Sequence, residues 1–321
     1  MNFQLQLKTD LFTPIEGECH ASTLVALPDG FAAAWFQGGK EGRPDVAIYG
    51  SRTDADGRWS RPVRWAKVND RPHWNPVLFL AAPQRLLLFF KVSTPDGERW
   101  QTWLQESADG GRTWTPAMEL VPGAPDARGP VKNKPIRLSD GAVLAGNSLE
   151  DVDYWRVLTD RSEDNGRSWH ASEVLRQLRA SGDLGVIQPT LWEAPPGQVH
   201  MLTRSTSGRI YRSDSVDFGR SWAPLFPTNL PNNNSGIDLA QAPDGRLLLA
   251  YNNTCDCGRR NPLTLAGSDD NGATWQKLLD LETENGEFSY PAVIPLGGNR
   301  FAGTYTNRRR TITLWQGTLN E

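Results

Sequence analysis

A six-bladed β-propeller is the fold that this sequence predicts, and two repeating series predict it. The first is an octet with Ser, Asp, Gly and Trp at fixed places. It reads SADGGRTW from Ser107 to Trp114, SEDNGRSW from Ser162 to Trp169, SVDFGRSW from Ser215 to Trp222 and SDDNGATW from Ser268 to Trp275. Starts at 107, 162, 215 and 268 are 55, 53 and 53 residues apart, a period that fits a repeat architecture with one blade per unit. A weaker fifth copy, TDADGRW at Thr53–Trp59, is one residue shorter between Gly and Trp. The 321 residues hold close to six units of about 54 residues.

The second series is a short apolar run with a polar opening, in the same phase. The copies are ECHASTLVAL from Glu18, HWNPVLFL from His73, VKNKPIRL from Val131, VIQPTLWE from Val186, NSGIDLAQ from Asn234 and FSYPAVIP from Phe288. Each is followed by a turn: PDG at 28–30, APQ at 82–84, SDG at 139–141, PPG at 195–197, PDG at 243–245 and LGG at 296–298. A second apolar run such as RLLLFF or RLLLAY comes next. Paired strands joined by tight turns have this form, with Gly and Asp supplying the unusual backbone angles. No long stretch sustains a 3.6-residue apolar period, and Ser172–Ala180 offers a short helix at most. A solenoid is the other repeat architecture, but four short strands per 54 residues is the size of a blade. One domain over residues 1–321 is therefore expected.

Composition narrows the function classes. Hydrophobic residues are 38% and charged residues 22% of the chain, enough for a sizeable core. The net charge of −3 comes without a basic block or stripe, which argues against nucleic acid as a partner. No apolar stretch approaches the roughly 18 residues of a membrane span. The start, MNFQLQLKTDLF, lacks a cationic region followed by an apolar run, so a cytoplasmic protein is expected. Three cysteines, Cys19, Cys255 and Cys257, suit a reducing compartment. The Cys-x-Cys pair lacks the second pair or neighbouring His that would complete a metal site, and nothing in the sequence demands a metal, nucleotide or other cofactor.

The octets read as frame. Their Asp accepts local backbone N–H groups, their Gly takes a tight turn and their Trp buries itself. Catalytic Asp residues repeated on every blade would lie far from one another. Ser-x-Asp-x-Gly-x-Thr-Trp resembles the Asp-box of the sialidases and their relatives, over almost the whole chain. The resemblance implies a six-bladed propeller whose ligands bind where the innermost strands begin, around one mouth of the central channel.

Several residues then become candidates. Arg204 lies 16 residues after Gln188, Arg259 and Arg260 lie 55 and 56 after Arg204, and Tyr290 lies 30 after Arg260. This order resembles a sialidase's second and third carboxylate-clamping arginines followed by its tyrosine nucleophile. Guanidinium forks suit a carboxylate because they offer paired donors in a plane, and sialidases use Tyr where other glycosidases use a carboxylate nucleophile. The choice between Arg259 and Arg260 stays open. Glu41, in GGKEGRPDV, falls near the family's acid/base position, with Asp45 four residues on. Polar strand openings at His20, His73, Asn75, Lys132, Lys134 and Asp238 are expected at the mouth as substrate-binding or catalytic groups. Arg308–Arg310 either reach the rim or are surface charge.

Two departures from the family stand out. Its Arg-Ile-Pro motif is replaced by Cys19-His20-Ala21-Ser22, and the glutamate that polarises its tyrosine is Gln188. Glu287 or Asp238 is the candidate substitute. The resemblance implies an exo-acting glycoside hydrolase on an acidic sugar, with Tyr290 or a water as nucleophile and Glu41 as acid/base. A lyase on a uronate-bearing glycan is the alternative: Arg, Asn75 and Lys134 would neutralise the carboxylate, and His20 or Tyr290 would abstract the adjacent proton. A non-catalytic glycan-binding propeller, with Trp74, Trp155 and Trp192 stacking on sugar faces, is the third reading.

Overall fold

Six four-stranded antiparallel sheets make up the molecule. The structure, a computed structural model, describes the chain except Glu98, 151–154 and 176–184. Among the described residues there is no helix; the end of the segment suggested as one, from 176 on, lies outside them.

The innermost strands fall where the second series placed them: Glu18–Leu27, His73–Ala82, Ile136–Arg137, Val186–Glu193, Asp238–Gln241 and Phe288–Pro295. Blades three and five begin later than expected, because Val131–Lys134 and Asn234–Ile237 precede their strands as irregular chain. Side chains hold that chain in blade three. Buried Asp160 accepts from Arg128 Nε and Nη2, from Gly129 N at 2.8 Å and from Asn147 Nδ2 at 2.9 Å. A desolvated carboxylate needs this many donors.

Blade six closes the ring and excludes a solenoid. Its order from the channel outward is Phe288–Pro295, Arg300–Asn307, Thr311–Asn320 and then the N-terminal strand Asn2–Asp10. The two ends of the chain meet in one sheet, with Asn2 opposite Asn320. Apolar residues alternate along the strands and fill the space between blades; Trp35, Trp192 and Trp315 are fully buried there.

Each octet is a corner on this ring. In the second, Ser162 Oγ donates to Asp164 Oδ1 at 2.8 Å. That oxygen also accepts from Arg167 N and Ser168 N at 2.9 and 2.8 Å, while Ser168 Oγ donates to Asp164 Oδ2 at 2.6 Å. Gly166 takes φ = 85°, which a side chain would resist, and its N–H donates to Ser162 Oγ. The corner tryptophans pack against the preceding blade rather than only between their own strands: Trp169 meets Phe89 edge-on at 5.8 Å, and Trp114 meets Trp65 at 5.1 Å. The weak copy is capped by Asp54, which accepts from Asp56 N and Arg58 N.

Candidate active site

Four inner strands share a break that the sequence did not announce. The register slips between His20 and Thr23, Trp74 and Val77, Ile187 and Thr190, and Ser289 and Ala292. In each gap sits a residue with left-handed backbone: Ala21 (φ 55°), Asn75 (43°), Gln188 (57°) and Tyr290 (52°). Outside glycine this conformation costs roughly 1–2 kcal/mol per residue. Proline follows three of them, Pro76, Pro189 and Pro291, and needs no ladder hydrogen bond at the bulge. Bulges re-aim side chains, and strain of this kind concentrates at functional sites. Blade one presents only Ala21 at this place, so its functional group is the neighbouring His20.

Tyr290 is the centre of the cluster. Arg204 Nη1 donates to its hydroxyl at 2.6 Å. The guanidinium carbons of Arg260 and Arg204 lie 5.4 and 5.6 Å from its ring centroid, and Lys132 Nζ lies at 5.9 Å. The His20 ring is 4.2 Å away, tilted by 49°.

The two arginines differ in what they leave free. All five N–H groups of Arg204 are engaged: Nε and Nη2 with Asn234, Nη1 with Gln188 Oε1 at 3.1 Å and with Tyr290. Its guanidinium stacks on Trp155 at 5.4 Å. Arg204 thus holds Tyr290 in place rather than presenting an open fork, a correction to its expected role as a clamp. Arg260 uses only Nη1, toward Glu287 at 2.9 Å, Ser289 Oγ at 3.3 Å and His20 Nε2 at 3.5 Å. Among the described residues its Nε and Nη2 have no partner. The open choice between neighbours is settled by position: the Arg260 guanidinium lies 5.4 Å from the Tyr290 ring, whereas that of exposed Arg259 has no partner among the described residues, although both line one cleft with Cys257, Asn285 and Glu287.

Glu287 joins the site by pairing with Arg260 and, at 2.9 Å, with Arg309 Nε. Arg309 also reaches Glu41 at 2.5 Å and Glu18 at 3.6 Å. It sits in the turn after Arg300–Asn307 with φ = 56°. Of the three arginines there, it alone enters the site: Arg308 pairs with exposed Glu284, and Arg310 caps the carbonyls of Ile15, Glu16 and Gly17. Glu41 lies at the rim with its side chain 37% exposed.

Burial and four surrounding cations set the electrostatics. Burial lowers the His20 imidazole well below its ordinary value, and Arg309, Arg260, Arg204 and Lys132 push the same way. His20 is therefore neutral at physiological pH. Burial lowers Lys132 to about 7, opposed by Asp238.

Six expected site residues are taken up by the interior or by their own loops. His73 is fully buried, with Nε2 accepting from Val68 N and Nδ1 facing Arg71 O, and it stacks on Phe90. Lys132 engages Asn133 Oδ1, Ile237 O and Pro291 O beneath Tyr290. Lys134 and Asp238 form a 3.0 Å ion pair deeper in the channel, where Asp238 also accepts from Thr190 Oγ1 and Val293 N. Lys134 lines the opposite, largely apolar opening of about 440 Å³. Asp238 is therefore not the base for Tyr290. Asp45 accepts from Gly39 N at 2.6 Å and closes its own loop. Asn75, at its bulge, is buried among the inner strands.

Glu150, at the end of the strand Val143–Glu150, escaped the sequence reading, while Arg309 and Asn234 stood in it undistinguished, one within the run Arg308–Arg310 and one at the polar opening of an inner strand. Only their meeting in space marks them. Glu150 accepts from Ser148 Oγ at 2.8 Å and from Gln188 Nε2 at 3.4 Å.

A family model for the BNR repeat-like domain matches residues 29–301, most of the chain. The chain belongs to the BNR repeat-like domain family. No curated protein is similar enough in sequence to match it. Solved structures agree on the fold at low identity. A protein of unknown function from Dyadobacter fermentans is 15% identical with a TM-score of 0.83, the match covering 99% of this chain and 100% of that one. A Hadza microbial sialidase is 17% identical with a TM-score of 0.80, covering 98% and 69%. The Trypanosoma rangeli sialidase, in complex with 2,3-difluorosialic acid as a covalent intermediate, is 14% identical with a TM-score of 0.74; the match covers 97% of this chain and 59% of that longer one. This BNR-repeat protein therefore has the sialidase fold, with the divergent mouth described above.

Proposed function

We propose that this protein is an exo-acting glycoside hydrolase of a carboxylate-bearing sugar, working at the channel mouth with Tyr290 as nucleophile. One observation carries the reading: Tyr290, on a strained bulge, has its hydroxyl hydrogen-bonded by Arg204 and the Arg260 guanidinium 5.4 Å from its ring. Cations so placed oppose charge that develops on the phenol oxygen during attack. The free Nε and Nη2 of Arg260 suit a substrate carboxylate, because they offer donors side by side in one plane. Attack of Oη on the anomeric carbon releases the Oη proton to water in the mouth. The bond to the leaving oxygen breaks as Glu41, at the rim, gives that oxygen a proton. Water then cleaves the tyrosyl glycoside, giving a proton to Glu41 as it attacks the anomeric carbon, while the departing Tyr290 Oη takes one back from water in the mouth.

The lyase reading is supported by His20, which packs on Tyr290. It ranks second, because a buried imidazole facing four cations resists the proton that a base must accept. The test is to incubate the protein with 2,3-difluorosialic acid and with sialosides and uronate-capped disaccharides, and to weigh protein and products. An adduct on the wild type but not on Tyr290→Phe, with products that gain one water, is the expected result. Unsaturated products without added water would replace the hydrolase with a lyase. Binding without turnover would leave a glycan-binding propeller.

A further inference from the structure

Four carboxyl groups besides Asp238 stand at or behind the mouth, and they are not equivalent. Glu287, Glu41 and Glu18 are each paired with arginine. Glu150 makes no salt bridge among the described residues; its neighbours are a hydroxyl and an amide. It lines a shallow recess with Arg99, Trp100 and Asp126. The charged groups that face it are Arg204 from blade four and Lys91 from blade two.

The amide it touches has only one good orientation. Gln188 donates from Nε2 to Glu150, and its Oε1 accepts from Arg204 Nη1. Reversed, the amide oxygen would face a carboxylate and the NH2 group a guanidinium, so both contacts would become repulsive. With one Nη1 hydrogen held by Gln188, the other is directed at Tyr290. A charge on Glu150 thus fixes a hydrogen two bonds further along the chain of contacts.

We infer that Glu150 is a positioning residue: through Gln188 and Arg204, its ionised carboxylate sets the place of the Tyr290 hydroxyl. This rests on the reading of Tyr290 as nucleophile. Protonated, Glu150 can itself donate to the Gln188 oxygen, the amide can then turn either way, and Arg204 loses its anchor. Burial raises the Glu150 carboxyl above its ordinary value, partly offset by Ser148, Arg204, Gln188 and Lys91. The switch therefore falls above the ordinary carboxylate range.

A charge swap tests this. Glu150→Gln is expected to lower kcat by about 10- to 100-fold with KM changed by less than about threefold, and to flatten the acid limb of the kcat profile. Gln188→Glu sets two carboxyls side by side, so that limb moves to higher pH. The double variant restores one amide and one carboxylate, with the charge now beside Arg204, and returns kcat to within about threefold of wild type. Wild-type kcat and pH profile in Glu150→Gln, or a double variant no better than that single one, would overturn the inference. A second measurement needs no substrate. The Tyr290 13Cζ resonance in 13C-tyrosine-labelled protein, assigned with Tyr290→Phe, should shift on acidification in the wild type and stay fixed in Glu150→Gln. If it does so while no acidic glycan is turned over, the positioning network stands and the hydrolase reading falls. If glycans are turned over and the resonance ignores Glu150, the reverse holds.

Discussion

The Asp-box corners and the channel mouth are built from the same polar residue types by opposite rules. At a corner, the bonds of the fixed-place Ser and Asp run between residues two to four apart: Asp164 binds Ser162, Arg167 and Ser168. At the mouth, Arg204 of blade four binds Tyr290 of blade six across 86 residues, and Arg260 of blade five reaches His20 of blade one across 240. Local bonding can be copied from blade to blade, so the corners repeat. A site whose members meet across blades needs a different residue on each blade. Repetition in this chain marks the frame, and departure from it marks the chemistry.

Removing the centre of the mouth should give the largest effect. Tyr290→Phe keeps the ring that packs on His20 and removes only the hydroxyl that Arg204 holds. We expect kcat to fall by about 10²- to 10⁴-fold or more, with an unchanged melting temperature. Steady-state kinetics and a thermal melt on the same sample check it. Unchanged turnover would remove the mouth from the chemistry. Arg260→Ala comes next. Loss of a charge-assisted, paired contact predicts a rise in KM of about 10- to 100-fold. Arg260→Lys should recover little of it, since an ammonium group lacks the planar fork.

The reach of the sequence followed the same division. Blade number, inner strands and corners were legible because a period can be counted without knowing what touches what. Tyr290 and His20 were legible as polar openings of apolar strands, and Arg204 through a spacing that resembles a sialidase's arginines. His73 and Lys134 shared that signal and turned out to serve the interior: polar side chains that the fold consumes look the same in sequence as those it presents. Glu150 had no signal, and Arg309 had none that set it apart from Arg308 and Arg310, because their meaning lies in partners that are remote in the chain. The left-handed bulges were also invisible, since Ala21 and Tyr290 are not residues that favour that backbone.

Stability should separate the regions in the other direction. Asp164→Ala removes one acceptor from several local bonds and should cost about 1–2 kcal/mol, a few degrees of melting temperature, with kcat unaffected. A parallel loss of activity would mean that the frame and the mouth are coupled. Acid titration gives a second separation. Burial lowers His73 to about 4, so the folded state holds it neutral while the unfolded chain protonates it near 6.5. Its contribution is present above pH 6.5 and is lost as the pH falls toward 4. The corners fail later. Thr113's hydroxyl and the corner's backbone N–H groups hold Asp109 well below the usual carboxylate range, so that stability persists until the pH falls below about 4. Melting temperature against pH should therefore decline in two windows, and His73→Gln should flatten only the upper one.

The smallest expected effect is the sharpest test of where the mouth ends. Arg259 and Arg260 are adjacent and chemically identical, and no local rule of sequence separates them. Arg260 contacts three groups of the mouth, while the guanidinium of Arg259 contacts none among the described residues, although both line the cleft beside Glu287. Surface substitutions away from buried networks change free energies by no more than about 0.5 kcal/mol, so Arg259→Ala should alter kcat/KM and stability by about twofold or less. Measured beside Arg260→Ala on one substrate, the pair compares two identical side chains one residue apart. Equal losses would mean that charge anywhere near the channel is sufficient. A large loss at Arg260 alone means that the site is defined by the bonds each guanidinium can reach across the blades.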